Sequence, residues 1–326
     1  MVESVQELGF VPEAERLSVT WVGHSTVLLE AAGVRLLTDP LLRRRLGHVF
    51  RVAPAATPLD RELDAVLISH VHFDHLHVPS LRRVQTRQLV VPRGAAGILE
   101  RRGFGPVLEV EEGGELTVGA LTIRATHAVH PARRGLRGGT TPSLGYLISG
   151  PARVYFAGDT DVFDGMRDLA PLDVALLPIW GWGPRVGRGH LDPQGAAEAL
   201  RLLRPRVAVP VHWGTYLRIG LSRDPAALRE PAERFKRLAG ELAPEVDVRI
   251  LAPRVDDDLA PGAREGDREG RDMDVLAARV LPPEDGERAR VLGHHGDPHA
   301  ATSESSRPAV TSSRSASQSA RKRSRP

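Results

Sequence analysis

Short apolar runs alternate with turns that contain Gly and Pro along most of the chain, from Leu17 to about Pro253. Short runs bounded by turn residues are typical of strands, and longer amphipathic stretches are typical of helices. The pattern predicts strands at residues 19–21, 26–30, 34–37, 65–69, 89–91, 108–110, 116–118, 121–125, 144–148, 154–157, 174–178, 207–211 and 246–251. It predicts helices at residues 79–84, 95–102, 193–203 and 225–239. Because both halves begin with strands and continue with strand–helix alternation, we expect an α/β fold in which two sheets pack together with helices outside.

Beyond residue 255 the chain becomes charged and then rich in Ser, Pro and Arg, with little periodicity. We therefore predict a folded domain at residues 1–255 and a mostly disordered tail at residues 256–326. The apolar patch at residues 275–281 is the part of this tail that could dock on the domain. The last residues place basic side chains among serines without interleaved aromatics, which favours a solvated tail over a nucleic-acid site.

Composition restricts the chemistry and the location of the protein. The sequence has no cysteine, so a metal ion would be held by His, Asp or Glu. Residues 1–16 carry several glutamates and lack the basic and apolar regions of a signal peptide. No apolar stretch reaches the length of a bilayer span. We expect a cytoplasmic protein, with peripheral contact to an anionic membrane left open by the basic tail. The oligomeric state has no signature in the sequence.

Three polar residues stand where predicted strands end. His70, Asp159 and His212 each follow an apolar run. Side chains at such positions converge where the edge of a sheet meets its loops. We therefore expect these three residues to belong to one site.

The segment from His70 to His75 concentrates ligand-type side chains. His70 and His72 are two residues apart and point to the same side in extended backbone. Asp74 and His75 follow after the chain begins to turn, within reach of a second position nearby. Imidazoles mixed with a carboxylate suit zinc, manganese or iron. Burying this cluster unpaired would be costly, so the segment predicts a metal site rather than filling of the core.

This segment resembles the His-x-His-x-Asp-His hallmark of the metallo-β-lactamase superfamily. Further motifs in matching order extend the resemblance over about residues 17–253: Trp21-Val22-Gly23-His24-Ser25-Thr26, Leu37-Thr38-Asp39-Pro40, Gly158-Asp159-Thr160, His190-Leu191-Asp192-Pro193 and His212-Trp213-Gly214-Thr215. The chain is most similar to the branch that contains N-acyl-phosphatidylethanolamine phospholipase D and the ascorbate-6-phosphate lactonase-type hydrolases. The resemblance implies a four-layer αββα sandwich and two divalent metal ions, zinc being expected and manganese or iron being the alternatives.

The resemblance also implies the metal ligands. They are His70, His72 and a later histidine for the first metal, Asp74, His75 and His212 for the second, and Asp159 as the bridge. His127 and His130 both fit the later histidine. The branch places this ligand before a loop with basic residues, which favours His130 and leaves His127 as a neighbour of the site.

The same resemblance implies the catalytic residues. Asp74 and Asp159 would orient a hydroxide that bridges the metals and attacks a carbonyl or phosphoryl centre. His190 would protonate the leaving group or hydrogen-bond a phosphoryl oxygen. We expect His24 to be a supporting histidine rather than a ligand.

Arginines on loops near these motifs indicate an anionic substrate, small or lipidic, because guanidinium groups match phosphate and carboxylate. They are Arg43, Arg44, Arg45, Arg51, Arg133, Arg134, Arg185 and Arg188. The leading hypothesis is therefore a metal-dependent hydrolase that cleaves an ester-type bond, namely a phosphodiester as in phospholipase D. The alternatives are a lactonase acting on a sugar-phosphate lactone, a nuclease, and a non-catalytic metal-binding module. We do not expect a nucleic-acid partner, since the interval from Asp159 to His212 has no room for an RNA-clamping insertion.

Overall fold

The computed structural model describes residues 17–54, 59, 61–135, 140–183, 187–221, 223–253 and 278–280. All of them belong to the compact unit Met1–Pro283. The second unit, Glu284–Pro326, lies outside the described residues, as does most of the predicted tail. The boundary between residues 255 and 256 therefore stays a prediction.

The strands are numbered in chain order. They are β1 (Leu17–Gly23), β2 (Thr26–Ala31), β3 (Val34–Thr38), β4 (Arg45–Leu46), β5 (Val49–Arg51), β6 (Ala65–Leu67), β7 (Leu89–Pro92), β8 (Val107–Val110), β9 (Glu115–Val118), β10 (Leu121–His127), β11 (Ala132–Arg133), β12 (Thr140–Thr141), β13 (Leu144–Ser149), β14 (Arg153–Phe156), β15 (Leu172–Pro178), β16 (Pro205–Val211), β17 (Tyr216–Arg218), β18 (Asp247–Val248) and β19 (Ala278–Val280). The helices are α1 (Val78–Leu81), α2 (Ala96–Glu100), α3 (Pro193–Leu203) and α4 (Pro225–Leu242), with a 3-10 helix at Asp164–Leu169.

Two seven-stranded sheets dominate the described part of the chain. The strand order is β19-β1-β2-β3-β6-β7-β8 in the first sheet and β18-β16-β15-β14-β13-β10-β9 in the second. Each sheet is antiparallel on one side and parallel on the other, the change occurring at β3 and at β14. Both halves thus repeat one plan, as the order of strands and helices predicted.

Side-chain alternation along the first sheet shows how the layers stack. Val27, Leu29 and Leu36 pack in the large core cluster together with strands of the second sheet. Their neighbours Leu28 and Leu37 pack instead with residues of α1 and α2. Because successive side chains of a strand point to opposite faces, the first sheet is buried on both sides. The large cluster also includes residues of α3 and α4, namely Ala196, Leu200, Ala232 and Phe235. The predicted four-layer αββα sandwich is therefore confirmed.

Several elements differ from the sequence-based prediction because they are short. Strands β4, β5 and β17 form a small three-stranded sheet, and β11 pairs with β12. Strands of two or three residues are too short to show the alternation that identifies a strand. The apolar patch at residues 275–281 contains β19, whose backbone pairs with β1. No helix among the described residues is long and apolar enough to cross a bilayer.

The two sheets meet closely at Gly158, directly before Asp159. Gly158 has φ +61°, a left-handed conformation that favours glycine. A Cβ atom there would lie 2.7 Å from the Cβ of Ser69 and 3.0 Å from the carbonyl oxygen of Leu144. The Leu144 N–H in turn donates to the Ser69 carbonyl at 2.9 Å. The contact therefore positions Asp159 against the loop that follows β6.

We expect Gly158→Ala to destabilise the protein more than Gly33→Ala. Both positions have positive φ, which costs an alanine about 1 kcal/mol. Gly33 has no atom within 4 Å of an added Cβ, whereas Gly158 adds a clash worth a further ~1–3 kcal/mol. Chemical denaturation of both variants measures the difference. Equal losses of unfolding free energy would show that the contact at Gly158 is not tight.

Candidate metal centre

The loop after β6 carries the predicted ligands from His70 to His75 and is shaped by its own backbone. The N–H groups of His75 and Leu76 both donate to the carbonyl of His72, at 3.2 and 2.9 Å, which curls the loop into a turn. The Arg134 guanidinium donates to the carbonyls of Val71 and Leu76 at 2.7 and 2.8 Å and so clamps the same turn from outside. The ligand spacing is thus held by hydrogen bonds within a few residues.

Asp39, at the end of β3, fixes the orientation of two of these histidines. Its Oδ1 accepts from the Ser69 N–H at 2.7 Å, and its Oδ2 accepts from the Ser69 hydroxyl at 2.5 Å and from His75 Nδ1 at 2.7 Å. Having donated its hydrogen, the Ser69 oxygen accepts from His70 Nδ1 at 2.9 Å. The Nε2 atoms of His70 and His75 are therefore left to face the centre.

The first donor set consists of three histidines. His72 Nδ1 lies 3.0 Å from His70 Nε2 and 3.0 Å from His130 Nε2. His130 Nδ1 donates to the Gly189 carbonyl at 2.8 Å, so its Nε2 carries a lone pair, as does that of His70. Burial lowers the pKa of His70 well below its usual value and that of His130 to about 4. Neutral imidazoles whose lone pairs converge in this way form a nitrogen set that a cation would satisfy.

The second donor set surrounds Asp159. His75 Nε2 lies 3.1 Å from Asp159 Oδ2 and 3.5 Å from Asp74 Oδ2. His212 Nε2 lies 3.5 Å from Asp159 Oδ1, while its Nδ1 donates to the Trp180 carbonyl at 2.9 Å. His75 Nε2, His212 Nε2 and Asp159 Oδ1 are all buried without a hydrogen-bond partner. Buried polar atoms are normally satisfied, so these orphaned atoms mark where a cation fits.

The two carboxylates of the centre are buried in their charged form. Burial alone would raise the pKa of Asp74 and of Asp159, but neighbouring histidines outweigh it and hold both pKa values well below normal. Burial also opposes a charge on His75, yet the carboxylates of Asp159, Asp74 and Asp39 raise its pKa well above the usual range. The pocket therefore attracts positive charge, which a metal ion would supply in place of a proton.

His24 joins this centre from the turn between β1 and β2. Its Nε2 lies 3.1 Å from Asp74 Oδ2, and its ring centroid lies 3.8 Å from that of His212. Burial and the neighbouring His212 lower the pKa of His24 to about 3. The sequence predicted that His24 is a supporting histidine but not that it contacts Asp74. Nothing in the Gly-His-Ser segment points to that carboxylate.

Comparison with known proteins agrees with this geometry. Residues 34–213 match the Beta-lactamase superfamily domain. The chain belongs to the metallo-β-lactamase superfamily. A metal-dependent hydrolase from Methanopyrus kandleri is 35% identical over 246 residues, which cover 73% of this chain and 97% of that protein. The N-acyl-phosphatidylethanolamine-hydrolyzing phospholipase D 1 of Caenorhabditis elegans is 31% identical, covering 61% of this chain and 64% of that protein.

A solved structure supports the same assignment. A metallo hydrolase from the archaeon Ignicoccus hospitalis superposes with a TM-score of 0.55 at 26% identity, covering 73% of this chain and 96% of its own. The present chain is therefore a metal-dependent hydrolase with the metallo-β-lactamase fold, and its His and Asp side chains are positioned for a metal site.

The structure of this superfamily member brings the predicted site residues together. The predicted ligands His70, His72, Asp74, His75, His130, Asp159 and His212 all belong to groups whose donor atoms lie within 4.8 Å of one another. His190 joins them, with Nε2 at 3.5 Å from Asp159 Oδ2. His127 does not: its side chain is half exposed and pairs with Glu112 at 2.8 Å. The sequence assigned no role to Asp39, whose motif served only to support the resemblance. The structure shows that it accepts hydrogen bonds from Ser69 and His75.

A cavity of about 390 Å³ opens onto the centre. Its described lining consists of His72, Phe73, Asp74, Asp159, Gly181, Trp182, Gly187, His190 and His212. Phe73 is 51% exposed at the mouth, and Trp182 adds the second aromatic wall. The cavity thus combines an acidic, histidine-rich floor with apolar sides.

Two of the arginines predicted to bind an anion donate to backbone carbonyls of the protein itself. Arg51 is buried and donates to the carbonyls of Val22 and Pro54. Arg134 clamps the ligand loop and packs over Phe73, its guanidinium carbon 4.4 Å from the ring centroid. Arg43, Arg44, Arg45, Arg133 and Arg188 are exposed, and Arg185 lies outside the described residues. No arginine or lysine is among the described residues that line the cavity.

We expect His130→Ala to lose a metal ion and His127→Ala to keep it. Loss of a supporting contact weakens metal binding about 10–100-fold, so removal of a direct ligand should cost more than about 100-fold. His127 faces Glu112 instead of the centre. Metal content after dialysis, measured by elemental analysis, compares the two variants with the unaltered protein. Full metal content in His130→Ala would contradict the assignment.

Proposed function

We propose that this hydrolase uses two divalent cations to cleave a phosphodiester. The observation that carries the proposal is the position of Asp159 between the two donor sets. Its Oδ1 faces His212, whereas its Oδ2 faces His75 at 3.1 Å and His70 at 3.9 Å. Both oxygens of Asp159 thus face histidines of the second set, and Oδ2 also faces His70 of the first set. A carboxylate that contacts both sets suits a bridge between two cations.

The residues of this chain then have distinct tasks. Two cations held here would lower the pKa of a water molecule and stabilise the negative charge that develops in the transition state. Asp74 and Asp159, both buried and charged, would orient the attacking water, and one of them would accept its single proton. Burial opposes protonation of His190, but the Asp159 carboxylate outweighs it and raises the pKa of His190. His190 also lines the cavity, which supports a role in protonating the leaving oxygen.

The choice of a phosphodiester draws on one relative and on the cavity. The similar Caenorhabditis elegans protein is named as a phospholipase D. The apolar walls formed by Phe73 and Trp182 would accommodate the apolar part of an anionic amphiphile. A sugar-phosphate lactone is the second candidate substrate, since the same attack on a carbonyl would open a lactone. Zinc is the proposed metal, with manganese or iron as alternatives. The cytoplasmic location and peripheral membrane contact stay predictions.

We expect the metal-loaded protein to hydrolyse bis(p-nitrophenyl) phosphate and phospholipids and to leave lactones intact. Treatment with a chelator should abolish turnover, and added zinc or manganese should restore it. Release of nitrophenol and chromatography of the products measure the two reactions, with His127→Ala as a control of unchanged activity. Turnover of lactones alone would select the second candidate, and no turnover by the fully metal-loaded protein would favour a binding module.

We expect the fall in kcat caused by His190→Ala to depend on the leaving group of the substrate. Loss of a general acid costs about 10²–10⁴-fold in rate when the leaving oxygen needs a proton. A nitrophenolate leaves without one, so kcat should fall far less for bis(p-nitrophenyl) phosphate than for an alkyl phosphodiester. Metal content, measured in parallel, should remain that of the unaltered protein. An equal fall in kcat for both substrates would contradict this role.

A further inference from the structure

His24 occupies a backbone conformation that is uncommon outside glycine. Its φ is +56°, and that of His212 is +62°. Left-handed residues of this kind are held in place by their surroundings and cluster at functional sites. The two histidines are joined directly, because the His212 N–H donates to the His24 carbonyl at 2.9 Å.

Further contacts fix this backbone. The His24 N–H donates to the Thr215 hydroxyl at 3.2 Å, and the His24 carbonyl also accepts from the Trp21 indole N–H at 2.8 Å. The preceding Gly23 has no room for a side chain, since an added Cβ would lie 2.6 Å from Thr215 Cγ2. The turn between β1 and β2 is therefore anchored on the segment that carries His212. It aims the His24 ring into the centre.

The His24 ring contacts one side of Asp74. Its Nε2 lies at hydrogen-bond distance from Asp74 Oδ2, and His24 is buried. A carboxylate has no proton to give, so the imidazole is the donor. This satisfied contact differs from the orphaned Nε2 atoms of His75 and His212, which point at the centre without a partner. The His24 donor atom lies within 4.8 Å of those of Asp74, His75 and His212, but its hydrogen bond to Asp74 favours a support over a ligand.

We propose that His24 is a positioning residue that holds the Asp74 carboxylate for the cation bound by Asp74, His75 and His212. The inference rests on the second cation of the proposed function. The hydrogen bond from His24 ties down Asp74 Oδ2, and the ring packs against His212, so one side chain orients two members of the same donor set. Groups that orient metal ligands in this way contribute to metal affinity.

Two substitutions of His24 distinguish the effect of its hydrogen bond to Asp74 from the effect of its left-handed backbone. His24→Asn suits the left-handed backbone, since Asn adopts it readily, but its amide is too short to reach Asp74. His24→Gln carries an amide N–H at about the position of Nε2 and restores the donor. We expect the affinity of the second zinc ion to fall about 10–100-fold in His24→Asn and by less than about tenfold in His24→Gln.

The measurement is a titration of the metal-free full-length protein with zinc alone, followed by calorimetry, with His127→Ala as the matched control. The first zinc ion should bind with unchanged affinity in every variant, because His70, His72 and His130 do not contact His24. Melting temperatures of the same samples show whether the fold is kept. The zinc affinities of the variants could follow their melting temperatures and not the presence of a side-chain donor at position 24. That result would assign His24 a merely structural role and overturn the proposal.

The remaining outcomes are also decisive. Unchanged binding of the second zinc ion in His24→Asn would overturn the positioning role. Equal loss in His24→Asn and His24→Gln would make His24 a ligand and likewise overturn it. If the unaltered protein binds two zinc ions but hydrolyses no phosphodiester, the proposed reaction is wrong. The role of His24 is then still decided by the affinity of its variants for the second zinc ion. Binding of a single zinc ion by the unaltered protein would overturn both.

Discussion

The Asp39 carboxylate is the contact on which the centre depends. It accepts hydrogen bonds from Ser69 and His75 and, through the Ser69 hydroxyl, sets the orientation of His70. One buried carboxylate thereby decides which nitrogen faces inward in a histidine of each donor set. Such a group is stable in the interior only because all of its neighbours donate to it. The end of β3 must therefore lie against the end of β6, and the parallel pairing of these strands secures this.

The sequence predicts the layers of the fold well and its small elements poorly. The alternation in β2 and β3 and the amphipathic pattern of α3 reflect burial, which dominates the energy of long elements. Strands such as β4, β5 and β17 form because neighbouring segments hold them, so their own residues carry little signal. In the centre, the spacing from His70 to His75 is local and was predictable. The contact of His24 with Asp74 joins residues 50 positions apart and could only come from the folded chain.

The sequence alone does not show which arginines near the centre bind the protein itself. Arg51 and Arg134 are arginines near the predicted site, yet both donate to backbone carbonyls and stabilise loops. A guanidinium carries several donors, and the sequence does not show whether the protein or a substrate accepts from them. The sequence also left His127 and His130 as alternatives, because they are three residues apart: His127 ends β10, and His130 lies in the loop that follows.

The ligands of the centre come from both sheets: His70 to His75 follow a strand of the first, whereas Asp159 and His212 follow strands of the second. A cation held by these residues would cross-link the two halves of the sandwich. Ligands that bind only the folded state shift the folding equilibrium in proportion to their supply. Metal availability would therefore set the stability of the folded protein, in addition to whether it is active.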